Sequence, residues 1–293
     1  MSYVALQVGR NAAAVTLLGR DHRLHDVFER LLVWSIVSGV LWLAGATLDA
    51  DQRLLLWIPA LALDLLAPVA GYWLPRRGSA ATTDYDIEGR HFAERCQLFI
   101  IIALGESIVV TGATATEAGL TSTVVACLVV AFLEAVALWW LYFGASGESS
   151  RAAVTASDDP GRLARDAYTY IHLPIIAGII ATAAGVDLLI AEPHDPLHGV
   201  GLAIVLGGPA LYLIGASLFD WRTTGKANAK RLATAALIIG LAPLATHVSA
   251  LMLTVIVTVL LIMVAAWEVR ASAPLGWASR HPCGRCLRAF AAP

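Results

Sequence analysis

Charge is what this chain has least of. Asp, Glu, Lys and Arg make up 14% of its 293 residues, against about 25% in an ordinary soluble domain. With 58% hydrophobic residues and a mean hydropathy of +0.71, it has too little polar surface to cover itself in water. A helical membrane protein is therefore the expectation. The formal net charge of −2 offers no basic excess for nucleic acid. Cysteine is scarce as well. Cys96 and Cys127 fall in apolar runs, which leaves Cys283 and Cys286 as a single CGRC near the C-terminus. Even with His281 nearby this is half a zinc site, so no metal or cofactor is expected, and residues 271–293 read as a disordered polar tail. A secretory signal is also lacking. Residues 3–18 carry Gln7 and Arg10 and have neither a basic start nor a small-residue cleavage site. No internal repeat supports an inverted-repeat transporter.

What the chain has is long apolar runs. A helix needs about 20 residues to cross a hydrocarbon layer of roughly 30 Å. Runs of that order occur at 3–18 (short), 31–48, 54–74, 91–112, 120–144, 167–190, 200–219, 232–247 and 249–269. The last two nearly abut and read as a tight helical hairpin. Barrel strands would be about 10 residues of alternating polarity, which these are not. The expected fold is an all-α polytopic transmembrane bundle over residues 1–270, with 8–9 membrane segments. The stretch at 146–162 reads as a flexible loop.

Basic residues mark the sides. Alternate connections and the tail collect 17 of the 20 Lys and Arg; the opposite connections hold Arg53 alone. Arg10 and Arg95 lie within runs. The positive-inside rule then puts the rich side, and the C-terminus, in the cytoplasm.

Positions 91–112, HFAERCQLFIIIALGESIVVTG, place His91, Glu94, Arg95 and Glu106 on an otherwise apolar run. At about 100° per residue these four fall within roughly a third of the helix circumference, with Leu98, Ile102 and Gly105 between them. A charge facing lipid costs at least about 2.5–3.5 kcal/mol, so this edge is expected to face the bundle. Glu106 lies roughly 16 Å of helix rise from Arg95 and has no local partner. Arg10, Asp64, Glu134, Tyr170 and His172 are further polar groups within or entering apolar runs. Plainer roles exist for most of them. Asp64 and Glu134 would be neutral and hydrogen-bonded between helices. His172, two residues before Pro174, would satisfy a kinked backbone. His91, Glu94 and Arg95 would anchor the helix at the interface. His194 and His198 lie in an outer loop. Pro174, Pro209 and Pro243 are expected within helices.

The stretch HFAERCQLFIIIALGES at 91–107 resembles the signature of the bacterial low temperature requirement protein A (LtrA) family, H-x-x-E-R-x-x-L-F-x-I-I-x-L-G-E-S. DAYTYIHLPIIAGI at 166–179 and YVALQVGR at 3–10 are similar to further family segments. Family members usually begin with an acidic-aromatic stretch resembling ELFFDLVFVF. It does not occur here, so the chain is expected to start inside the family domain. The resemblance implies a multi-pass bacterial membrane protein, named for growth in the cold, without a settled molecular activity.

The leading expectation is thus a non-enzymatic protein of the bacterial cytoplasmic membrane that moves protons, cations or a small solute among its lipids. Glu106 would titrate, Arg95 and His91 would set its field, and His172 and Asp64 would assist. Glu94, Tyr170, Arg10 and Glu134 complete the polar set. The alternative is a structural or stress-sensing component whose charges lock helices together. An enzyme acting on lipid would need a nucleophile–base pair or a metal cluster, and no spacing supports one. Oligomeric state has no sequence signal.

Overall fold

The computed structural model describes residues 2–84, 89–144 and 159–272. Among them are nine helices of twelve residues or more and no strand. They are α1 (Ser2–Leu17), α2 (His25–Ala46), α3 (Ala50–Leu66), α4 (Gly89–Ala118), α5 (Ser122–Phe143), α6 (His172–Ala191), α7 (Gly199–Thr224), α8 (Ala229–Gly240) and α9 (Ala250–Ser272). Each of the nine apolar runs carries one, so the protein is an all-α polytopic bundle. Six are long and apolar enough to cross a membrane: α2, α4, α5, α7, α9, and α6 with the turn leading into it.

The other three are shorter, and α8 departs most from expectation. Its 12 residues rise about 18 Å. The chain then turns, passes through a 3₁₀ turn at Leu244–Thr246 and enters α9 at Ala250. Pro243 lies in this turn, outside α8, because a ring without an N–H cannot extend the helical ladder. The expected hairpin is therefore a short helix, an irregular turn and a long helix. Pro174 sits in the first turn of α6, where its missing donor is harmless, while Pro209 and Pro59 are interior to α7 and α3.

The chain divides into two compact units. The first comprises residues 1–89 with 158–165. In it α2 packs against both α1 and α3. The indole of Trp42 stands edge-on to Tyr3 and tilts against Trp57. Beyond α3 the backbone reverses at Gly71 (φ +60°) and Tyr72 (φ +49°). A Cβ on Gly71 would come within 2.6 Å of the Ala80 carbonyl oxygen, so a side chain there would force the turn open. Arg30, buried in α2, donates to Asp26 at 2.6 Å and to the Gly78 and Arg77 carbonyls at 2.5 and 3.2 Å. One guanidinium thereby fastens this loop to the helix. Asp159 accepts from the Arg162 N–H at 2.9 Å and the Thr82 hydroxyl at 2.7 Å, which holds its carboxyl below the usual range.

The second unit comprises residues 90–157 and 166–293. Its tightest crossing is α6 on α7. A Cβ on Gly178 would lie 2.6 Å from the Tyr212 nitrogen, and one on Gly208 would lie 2.6 Å from the Thr182 nitrogen. Small residues let these backbones touch, the usual basis of helix association in lipid. Large apolar side chains stay exposed on the outer faces, among them Ile102, Val109, Leu211 and Trp267, as hydrocarbon contact requires.

Gly208→Ala should therefore lower the melting temperature of detergent-purified protein, by overpacking worth roughly 1–3 kcal/mol. Gly207→Ala, where a Cβ meets nothing within 4 Å, should leave it unchanged.

Candidate intramembrane polar sites

The charged edge of α4 does not face the bundle. Ala93, Ile100, Leu104, Thr111 and Ala115 are buried, whereas Leu98, Ile102, Gly105 and Glu106 are exposed. The expected inward orientation of Glu106 is thus corrected. Small and aliphatic residues at spacings of seven and four make a smooth stripe that packs, and it lies roughly 180° from His91. Arg95 and His91 are exposed too. His91 Nδ1 is 3.5 Å from Glu94 Oε2, with the side chains 71% and 41% exposed. That is a surface pair, the anchoring role rather than a buried site.

His172 is buried, and both its ring nitrogens are engaged. Nδ1 is 3.0 Å from the Ala167 carbonyl and Nε2 is 2.7 Å from the Tyr142 hydroxyl. A carbonyl can only accept, so Nδ1 carries the proton and Nε2 accepts from Tyr142. Residues 164–170, Tyr170 included, form a turn of π-helix, and the imidazole satisfies a carbonyl of that turn. Tyr168 stacks on the ring and Phe219 meets it edge-on. His172 therefore does the backbone work that its position before Pro174 suggested.

Glu134 is different. It is 3% exposed, and among the described residues it forms no hydrogen bond or ion pair. It lines a cavity of about 60 Å³ bounded by α4, α5 and α6, together with Ser107, Thr111 and Thr182. It is the one ionisable group on that lining. Two of the hydroxyls are committed to their own helices, Ser107 to Ala103 O and Thr182 to Gly178 O, both at 2.8 Å. Their oxygens can still accept. An unpartnered carboxylate in apolar surroundings costs several kcal/mol, so its charge must be met by a proton, a cation or water.

The strongest polar cluster was missed by sequence reasoning. Arg231, 2% exposed, reaches Asp220 at 3.2 Å and Glu268 at 2.7 Å, and donates to the Leu141 carbonyl at 2.8 Å. Asn228 adds a bond to Glu268 at 2.8 Å. The end of α5, the end of α7, the start of α8 and the end of α9 thus meet at one cation. Arg231 counts in the sequence as a loop residue. The available signal was Asp220 and Glu268, each at the end of an apolar helix that stops beside a basic connection.

Arg10 and Asp64 belong to the first unit, where both line a cavity of about 190 Å³ with Asn11, Trp34, Trp42 and Tyr72. Trp42 donates its indole N–H to Asp64 at 2.9 Å, and Arg10 donates to Gln7 at 2.9 Å. Within the second unit, His91 with Glu94, His172 and Glu134 occupy separate places. Asp187 accepts from Thr114 at 3.0 Å. The CGRC motif lies outside the described residues, as does most of the 146–162 loop.

Residues 1–266 match the family described as bacterial low temperature requirement A protein (LtrA). The chain belongs to this family. A curated relative, the "Uncharacterized protein RA0937" of Rhizobium meliloti (strain 1021), is 37% identical over 219 residues. The match covers 73% of this LtrA-family chain and 53% of the relative, so the chain spans about half the length of the curated relative it matches. No solved structure matches.

Breaking the buried cluster should be severe. Arg231→Met leaves Asp220 and Glu268 buried without their cation and is expected to cost roughly 3–5 kcal/mol in thermal or denaturant unfolding. Arg77→Ala, which removes a side chain 50% exposed in its pair with Glu29, should leave the melting curve where it is.

Proposed function

We propose that this LtrA-family membrane protein moves protons or a small cation through the bundle of its second unit, with Glu134 as the group that takes up and releases charge. One observation carries the reading. A buried carboxyl with no protein partner among the described residues lines a mostly apolar pocket among α4, α5 and α6 that also holds the hydroxyls of Ser107, Thr111 and Thr182. Such a carboxyl can hold a proton, or trade it for a dehydrated cation that the hydroxyl oxygens help to coordinate. Glu106, exposed on α4, has a lesser role. The basic connections support insertion in the bacterial cytoplasmic membrane with the C-terminus in the cytoplasm. No step in this reading is enzymatic.

A second reading has its own support. The Arg231 cluster and the glycine crossing of α6 on α7 lock helices together, which suits a structural or stress-sensing component. The two readings diverge at Glu134. In liposomes carrying a pH-sensitive dye, wild-type protein should dissipate an imposed pH gradient faster than protein-free vesicles, or do so when Na⁺ or K⁺ is supplied. Glu134→Gln should reduce that flux at least tenfold, and Glu106→Gln less than twofold. Equal leak from wild type and Glu134→Gln, with a melting temperature altered by the substitution, would decide for the structural reading.

A further inference from the structure

The cavity of the first unit has a chemistry of its own. Two opposite charges, Arg10 and Asp64, line one space of about 190 Å³ without forming an ion pair with each other. The donors around it are largely spent. The Trp42 N–H is taken by Asp64, and the Trp34 N–H by the Trp73 carbonyl at 3.1 Å. The Asn11 amide nitrogen donates to Ser35 at 3.2 Å. Beside the Arg10 guanidinium, unmet acceptors remain. Asn11 is 2% exposed and its Oδ1 has no partner. Asp64 gives Oδ2 to Trp42, and among the described residues nothing bonds Oδ1. Indoles whose N–H groups are engaged still offer ring faces, and Tyr72 stands edge-on to Trp34 at 6.5 Å. Unsatisfied acceptors, a carboxylate and aromatic faces together suit an ammonium group. The guanidinium of Arg10, on an exposed residue, suits a carboxylate or phosphate.

We propose that this cavity binds a small zwitterion. Its ammonium group donates to Asp64 and Asn11 Oδ1 against the Trp42 and Tyr72 rings, and its anionic group meets Arg10. The volume is somewhat larger than the roughly 150 Å³ cavity that admits benzene, so a free amino acid or an aminophosphate headgroup fits. The two sources share one chemistry: an ammonium and an anion a few bonds apart. The site involves none of the residues around Glu134 and does not depend on the transport reading.

Calorimetric titration of the full chain in detergent would test it, with β-alanine and O-phosphoethanolamine as free probes and methylamine and acetate as single-charge controls. Saturable binding of a zwitterion, at least tenfold tighter than either control, is expected. Asp64→Asn keeps an acceptor for Trp42 and removes the charge; Arg10→Gln alters an exposed side chain. Each should weaken binding at least tenfold with an unshifted melting curve. Repeating the titration in nanodiscs of phosphatidylethanolamine and of phosphatidylglycerol separates the sources. Loss of free-probe binding in the first lipid alone assigns the site to a headgroup; equal binding in both assigns it to a free solute. No saturable binding by folded wild-type protein, binding no tighter than the controls, or binding indifferent to both substitutions would overturn the proposal.

Discussion

A guanidinium withdrawn from water can be held only where its donors are met, and in the second unit that condition organises one end of the bundle. Arg231 donates to a backbone carbonyl of α5 and is paired with carboxylates at the ends of α7 and α9. Any of these helices sliding along its axis would break a charge-assisted bond in a medium that offers no replacement. The same end carries Tyr142, Tyr168, His172 and Phe219, so ion cluster and aromatic layer lie side by side. The π-helical turn before α6 persists because His172 reaches back to its carbonyl.

Against that satisfied end, Glu134 stands out. It is as deeply buried as Arg231 is, but the pocket it lines is mostly apolar, with three hydroxyls and no cation. Arg231 is locked between two carboxylates, whereas Glu134 has no protein partner among the described residues. In the first unit, Arg30 plays the fastening part by tying the loop after α3 to α2. Arg10 and Asp64 are left to face a shared cavity instead of each other.

The orientation of α4 shows where sequence reasoning ran out. Charge on one edge of an apolar run argues for an inward edge when the helix is considered alone. The helix packs through its opposite face, where Ala93, Ile100, Leu104, Thr111 and Ala115 form a stripe of low relief. Those five positions are buried, and His91, Arg95 and Glu106 stay exposed. The plainer expectations for His172 and for the His91–Glu94 pair agree with the geometry, since a proline two residues ahead and an i, i+3 spacing are local features. Asp220 and Glu268 escaped notice because a carboxylate at a helix end looks solvated until the helix carrying its partner is placed.

The sequence by itself determined the membrane habit, the helical class, the positions of nine helices and the family, because these follow from apolarity summed over about 20 neighbouring residues or from a contiguous motif. Tertiary structure alone decided which faces pack, that α8 stops short at its turn, that Arg231 gathers two distant acids, and that Glu134 rather than Glu106 is buried. Those outcomes depend on the shape of surfaces contributed by residues tens of positions apart, and no local window contains them.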